Sequence, residues 1–316
     1  MQRAFVFPGQ GSQSVGMLAE LAAQDRVIAD TFAEGSAVLG YDLWQLACEG
    51  PEERLAETAH TQPAMLAAGI ATWRYWKNAG GAPPDAVAGH SLGEFAALVA
   101  AGALEFSTAM RLVRERGERM QAAVPAGTGA IAAVLGLDDA AVIAACAACA
   151  QGEVVEAVNF NSPGQAVIAG HATAVQRALE ACRAAGAKRT IVLPMSVPAH
   201  SSLMQPAADG FAAALRAAPL RVPSIPWWSP VDARRHDSVE DIRALLIRQL
   251  TSPVRWTELV QALAAQGATT LVECGPGKVL AGLNRRIDRN LQCLALQDPA
   301  AVEAVLGTAP ATRDMT

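Results

Sequence analysis

One five-residue string constrains this chain more than any other: Gly89-His90-Ser91-Leu92-Gly93, a G-x-S-x-G. Val87-Ala88-Gly89 reads as a brief strand, and Leu92 to Leu104 reads as helix. A serine on so tight a strand-to-helix turn needs glycine on both sides, because the turn leaves no room for a Cβ there. The turn lifts the hydroxyl clear of the sheet, at the positive end of the helix. There the Leu92 N–H is free to face a developing oxyanion. Ser91 is therefore a candidate nucleophile. A plain strand-to-helix turn is the bland alternative, since glycine and alanine are frequent in this chain.

Strand and helix signals alternate around this elbow. Arg3 to Phe7 is a β-type run ending in Pro8-Gly9, and Gln62 to Lys77 is a helical pattern closed by Asn78-Ala79-Gly80-Gly81. Thr270 to Glu273 and Cys293 to Leu296 have buried-strand length and flank the helical Val279 to Ile287. Such alternation predicts a parallel sheet covered by helices on both faces. Gly275-Pro276-Gly277-Lys278 lacks the spacing of a phosphate loop and reads as a helix-initiating turn.

The middle of the chain keeps another rhythm. Ile131 to Leu137 reads as strand, Asp138 to Ala150 as helix and Val154 to Val158 as strand. Ala166 to Ala169 is a further strand, Ala174 to Ala185 a helix and Arg189 to Leu193 a last strand. This β-α-β-β-α-β order is the ferredoxin-like arrangement, with Asn161-Ser162-Pro163-Gly164 as the turn between its central strands. The expectation is a small subdomain over residues 126–195, inserted into a larger α/β domain made of 1–125 and 196–316. About a dozen residues at the C-terminus carry no pattern.

Composition excludes several function classes. The net charge of −5 argues against nucleic acid, whose phosphates call for clustered Lys and Arg. No stretch reaches the roughly 20 apolar residues of a membrane span, and the opening MQRAFVFPGQGSQ has no charged segment leading into an apolar one. A cytoplasmic protein without a membrane partner is expected. The six cysteines are scattered, as in reducing compartments. Cys146 and Cys149 form a C-x-x-C in an Ala-rich run without two further ligands at similar spacing, so no metal site is expected.

A nucleophilic serine needs a base, and there are five histidines. His60 precedes a helical pattern, and His90 lies inside the elbow with its side chain expected to point away from Ser91. His171 follows a strand of the insert, and His236 sits among Arg234, Arg235 and Asp237 in what reads as a solvated loop. His200 follows Ser196-Val197-Pro198-Ala199, where the chain leaves the insert. Position alone does not separate His200 from an ordinary surface or core histidine. Arg116 is more pointed. In the helical run Ser107 to Val124, Ala109, Val113, Arg116 and Met120 share one face, so Arg116 is a lone charge in an apolar stripe beside Gly117. A guanidinium there needs an anion, either an Asp or Glu of this chain or a substrate carboxylate, which its planar fork suits.

Five segments together resemble the malonyl-CoA:acyl carrier protein transacylase family. They are Phe7-Pro8-Gly9-Gln10-Gly11-Ser12-Gln13, Thr61-Gln62-Pro63, Gly89-His90-Ser91-Leu92-Gly93-Glu94, Ser196-Val197-Pro198-Ala199-His200 and Glu273-Cys274-Gly275-Pro276-Gly277. The likeness is collinear from about residue 3 to residue 297. It implies an α/β-hydrolase-like large domain carrying the ferredoxin-like insert. It also implies that Ser91 takes malonyl from malonyl-CoA as an ester and passes it to the phosphopantetheine thiol of holo acyl carrier protein, supplying fatty acid synthesis. On this resemblance His200 is the base, Arg116 holds the malonyl carboxylate, and Gln10 with the Leu92 N–H forms the oxyanion hole. The Gln249 main-chain carbonyl orients His200, so replacing the Gln249 side chain is expected to matter far less than removing His200. Gln62 and Met120 belong to the acyl pocket, and Asn159 and Asn161 to the insert's face toward the cleft. No cofactor is implied: malonyl-CoA is substrate, and phosphopantetheine belongs to the partner. A monomer is expected.

The chain departs from that family at Trp227-Trp228-Ser229-Pro230-Val231-Asp232, where small apolar residues followed by asparagines are more usual. A hydrolase with the same elbow, an inactive binding module and a loading enzyme of a polyketide pathway are the competing readings.

Overall fold

The computed structural model describes residues 1–195 and 197–308. Ser196, one residue of the motif before His200 and the start of the returning segment, lies outside the described residues, as does most of the patternless C-terminal end. The chain begins with β1 (Arg3–Phe7), then α1 (Ala19–Gln24), α2 (Val27–Leu39), α3 (Leu43–Glu49), α4 (Glu52–Ala56) and the long α5 (Thr58–Asn78). β2 (Ala86–Gly89), α6 (Gly93–Ala100) and α7 (Phe106–Ala122) follow. The middle runs β3 (Gly129–Leu135), α8 (Asp139–Cys149), β4 (Val155–Ser162), β5 (Gln165–His171), α9 (Ala172–Ala184) and β6 (Arg189–Val192). The last part holds α10 (Gln205–Ala217), β7 (Trp227–Ser229), β8 (Arg234–His236), α11 (Val239–Arg248), α12 (Trp256–Ala265), β9 (Thr270–Glu273), α13 (Val279–Ile287), β10 (Gln292–Ala295) and α14 (Pro299–Gly307).

Two sheets result. The larger has the order β10-β9-β1-β2-β7-β8, parallel throughout except for β8. Alternation along β1 builds its two faces: Phe5 and Phe7 enter one core cluster with α5, and Ala4 and Val6 enter another with α12 and α13. The expected parallel sheet is formed by β10, β9, β1, β2 and β7, and only β8 runs against it. Its connection from β7 is a turn of a few residues, and so short a link can only reverse the chain. His236 is accordingly in a strand, against Asp232, and not in a solvated loop.

The smaller sheet is antiparallel with the order β4-β5-β3-β6, and it buries Ala132, Val134 and Ile168 against Val142, Val175 and Leu179 of α8 and α9. β4 also ties this sheet to the rest of the molecule. The Phe160 N–H donates to the Val254 carbonyl at 2.9 Å, and the Val254 N–H donates to the Val158 carbonyl at 2.9 Å. Asn161 and Ser162 continue β4 rather than forming the turn, which is left to Pro163 and Gly164.

Two helix boundaries differ from expectation by more than two residues. α6 stops at Ala100, because the left-handed Gly102 and the Ala103 N–H to Leu98 carbonyl bond close it well before Leu104. α5 begins at Thr58 and runs through Pro63, which places His60 within its first turn, bonded to Glu57 at 3.0 Å, and not ahead of it. Among the described residues, no helix is long and apolar enough to cross a membrane.

Candidate active site

Register brings the site together. In the parallel trio β1, β2 and β7, Phe7 lies opposite Gly89 and Ala88 opposite Trp228. The loop after β1, the elbow after β2 and Ser229 at the end of β7 therefore meet at one sheet edge. Gly89 is required there, because a Cβ on it would stand 1.9 Å from the Gly93 carbonyl carbon. Ser91 adopts the left-handed region with φ 54, a backbone strain that the surrounding turn must hold in place.

Across the elbow stands His200, itself left-handed at φ 67 and buried. Its Nε2 lies 2.7 Å from Ser91 Oγ, and its Nδ1 lies 2.7 Å from the Gln249 carbonyl oxygen. A carbonyl only accepts, so the Nδ1–H is fixed toward Gln249 and Nε2 is left to accept the Ser91 proton. Burial first, and then the Arg116 charge, push the imidazolium down to about 3. His200 is thus neutral across the physiological range, with Nε2 placed to accept from Ser91.

Arg116 reaches the same point from α7, which lies close to the start of α5. Gly117 permits the approach: a Cβ there would meet the Thr58 carbonyl oxygen at 2.8 Å. The buried guanidinium donates from Nη1 to Gln62 Oε1 at 2.9 Å and from Nη2 to Gln249 Oε1 at 2.6 Å and Ser91 Oγ at 3.2 Å. All three partners are neutral, and Nε has none. Desolvation lowers Arg116 to about 10, which leaves it a cation. The intrachain ion pair considered as its bland role is not formed among the described residues.

The remaining expected residues fall around this core. Gln62 is buried, and its Nε2 donates to the Met120 Sδ at 3.3 Å, so Met120 sits one turn beyond Arg116 on the same wall. Gln10 follows the β1 loop and donates to Thr58 Oγ1 at 3.4 Å, a long contact that leaves its amide weakly held. The Leu92 N–H opens α6 and has no carbonyl partner among the described hydrogen bonds of the turn. Asn161 is brought to the elbow through His90: its Oδ1 lies 2.9 Å from His90 Nε2, and the His90 ring lies against Trp256 at 5.4 Å between centroids. Asn159 is buried nearby on β4 with its Oδ1 unpaired.

The Gln249 side chain has contacts of its own beside the carbonyl that holds His200. Its Nε2 donates to the Ser91 carbonyl oxygen at 2.9 Å and to Glu94 Oε1 at 2.6 Å, while its Oε1 receives Arg116. Sequence reasoning also missed Glu94 and Ser229. Glu94 is fully buried and accepts from the Ser229 hydroxyl at 2.9 Å. Burial pushes its carboxyl up to about 8, against the pull of these two hydrogen bonds. The signal was available: Glu94 is a lone charge in the apolar Glu94-Phe95-Ala96-Ala97-Leu98, by the same logic that singled out Arg116.

A strained serine, a neutral histidine aimed at it and an unpaired cation beside both make a nucleophilic acyl-transfer site. Comparison with known proteins agrees. An acyl transferase domain matches residues 4–315, and the chain belongs to that family. It is 55% identical over 305 residues to the malonyl CoA-acyl carrier protein transacylase of Salmonella typhimurium, covering 96% of this chain and 99% of that one. Among solved structures, it resembles an acyl carrier protein S-malonyltransferase from Vibrio cholerae with a TM-score of 0.94 and 55% identity, over 96% of this chain and 100% of the other. A type II PKS acyl-carrier protein in complex with its malonyl-transacylase gives a TM-score of 0.96 at 52% identity, covering 97% of this chain and 99% of that one.

Proposed function

We propose that this protein transfers the malonyl group of malonyl-CoA to the phosphopantetheine thiol of holo acyl carrier protein, through a malonyl ester on Ser91, and so supplies fatty acid synthesis. The observation that carries the reading is Arg116, a buried cation beside the nucleophile with only neutral partners. A carboxylate on the acyl group is the anion it lacks. In the first half-reaction, the Ser91 proton passes to His200 Nε2 as Oγ bonds the thioester carbonyl carbon. The oxyanion is met by the Leu92 N–H and the Gln10 amide. Collapse breaks the C–S bond, and His200 returns the proton to the coenzyme A thiolate. The second half-reaction repeats these steps with the carrier's thiol as nucleophile and Ser91 Oγ as leaving group.

Gln62 and Met120 line the acyl pocket in this scheme, and Asn159 and Asn161 form the insert's side of the cleft. We read the large sheet with its helices as an α/β-hydrolase-like domain, 1–125 and 196–316. The strand order of the small sheet supports a ferredoxin-like subdomain over 126–195. The enzyme needs no cofactor, acts as a monomer and works in the cytoplasm. Incubation with malonyl-CoA and holo carrier should yield malonyl-carrier well ahead of free malonate. Predominant release of malonate would make it a hydrolase. A second reading, loading of a polyketide carrier, is favoured by the similarity to the type II PKS complex. Matched assays with fatty acid and polyketide carriers separate the two by kcat/KM.

A further inference from the structure

The site holds a buried acid that the proposed steps do not use. Glu94 lies on α6, one helical turn past the nucleophile, with no cation at ion-pair distance among the described residues. Its two oxygens have separate partners: Oε1 takes the Gln249 amide at 2.6 Å, and Oε2 takes the Ser229 hydroxyl at 2.9 Å. Gln249, on the turn after α11, bonds to His200, Ser91 and Arg116. Its carbonyl holds His200, its Nε2 holds the Ser91 carbonyl, and its Oε1 holds Arg116.

An amide has distinct ends, and this one is inserted between two acceptors and one donor. With its nitrogen on the Ser91 carbonyl and on Glu94, its oxygen must face the guanidinium. Removing the Glu94 acceptor leaves only one hydrogen bond, to Ser91, keeping the amide nitrogen on that side. The amide is then held only by the Ser91 carbonyl and by Arg116 itself, so it is fixed less firmly and no longer braces the guanidinium. We propose that Glu94 is a positioning residue for acyl-group selection: its carboxyl group, anchored by Ser229, locks the Gln249 amide so that Arg116 is aimed at the acyl carboxylate. The assignment rests on the malonyl-transfer reading above.

The chemistry of the carboxyl matters as much as its place. A glutamate ionised beside the pocket would offset the Arg116 charge and weaken its hold on a substrate carboxylate. Full burial without a cation partner favours the neutral acid, whose Oε1 still accepts from Gln249 while its Oε2–H donates to the Ser229 oxygen, and which leaves the Arg116 charge for the substrate. The role therefore needs an acceptor at Oε1 and no net charge. Glutamine meets both conditions, and methionine fills the same volume while meeting only the second.

The test compares Glu94→Gln and Glu94→Met with the parent enzyme, each with malonyl-CoA and acetyl-CoA, scored by the ratio of kcat/KM values. Glu94→Gln should keep the ratio within about threefold, and Glu94→Met should lower it roughly tenfold, the equivalent of one well-placed hydrogen bond. The loss should fall mainly on malonyl-CoA, with acetyl transfer little changed. If both variants lower malonyl and acetyl transfer in proportion, Glu94 is a structural residue and the proposal fails. If Glu94→Gln loses selectivity as fully as Glu94→Met, the charge and not the acceptor matters, and the proposal fails again. Should Glu94→Met not fold, Ser229→Ala loosens the same carboxyl and must lower the ratio. A crystal structure of the variant gives a reading independent of substrate: Gln249 Oε1 should leave Arg116 Nη2. A parent enzyme that prefers acetyl would overturn the malonyl reading, while this geometric arm would still decide the role of Glu94.

Discussion

Arg116 Nη2 donates to Ser91 Oγ across 3.2 Å, and that same oxygen faces His200 Nε2 at 2.7 Å. In the proposed reaction the nucleophile's lone pair is therefore engaged, before substrate arrives, by the group assigned to the acyl carboxylate. A carboxylate draws the guanidinium to itself and frees the oxygen for attack. An acetyl group cannot do this, and it also leaves a buried cation unpaired, a penalty of several kcal/mol. Replacing Arg116 with Ala should reduce malonyl transfer by roughly 10²-fold or more while acetyl transfer holds or rises. Arg116→Lys should restore only part of the malonyl rate, because a point charge lacks the planar fork. Steady-state kinetics with both thioesters decide it. Equal loss of both activities would make Arg116 a structural residue.

Replacing the Gln249 side chain should weaken transfer, though less than removing His200. Gln249→Leu keeps the main-chain carbonyl that orients His200 but removes the bonds to Arg116, Ser91 and Glu94. A fall in malonyl kcat/KM of about tenfold to 10²-fold is expected, since charged-group hydrogen bonds are worth about 1.5–3 kcal/mol. A variant within twofold of the parent would show that the carbonyl alone suffices.

The pH dependence of acylation follows from His200. Its folded value of about 3 lies far below the ordinary histidine value, so it is already neutral at mildly acid pH. The kcat/KM for Ser91 acylation should stay nearly flat from pH 7.5 to 5. A tenfold fall centred near pH 6.5 would show an ordinary imidazole at this position. The same shift makes folding less favourable as pH drops through and below about 6.5, because the unfolded chain then binds the proton that the folded one refuses.

Glu94 gives the opposite stability trend. Its carboxyl sits at about 8 in the fold, so no penalty exists below about 4.5, and the penalty grows until pH passes 8. Arg116 eases this ionisation and Asp232 opposes it, both less than burial does. Glu273, held at about 7 by burial, has the same sign. Glu94→Gln should therefore gain Tm relative to the parent as pH rises from 5 to 8.5. The gain corresponds to a few kcal/mol at most, at about 1.4 kcal/mol per pKa unit. Melting curves that stay parallel across this range would put Glu94 in its charged form.

Much of this was legible in the sequence, and the rest was not for a definite reason. Arg3–Phe7, Thr270–Glu273 and Val279–Ile287 match their elements residue for residue, because each is a strongly patterned run bounded by its own turn chemistry. Ser91 and Arg116 were visible because each breaks a local pattern, a serine between glycines and a charge in an apolar stripe. What could not be read is the closure between them. Gln249 meets Glu94 across 155 positions and Ser229 meets Glu94 across 135, through sheet register that no local window contains. Ser229 lies in the very stretch where the sequence departs from its family resemblance. The departure reads as a disturbance in sequence and, in space, as an anchor.

In the proposed reaction Ser91 carries the acyl group as an ester and Arg116 selects it. Intact-protein mass spectrometry after brief incubation with an equimolar mixture of malonyl-CoA and acetyl-CoA tests both halves at once. The account predicts a single malonyl adduct that is absent from Ser91→Ala. A malonyl adduct persisting on Ser91→Ala would move the nucleophile elsewhere, and a dominant acetyl adduct on the parent enzyme would remove carboxylate recognition from this site.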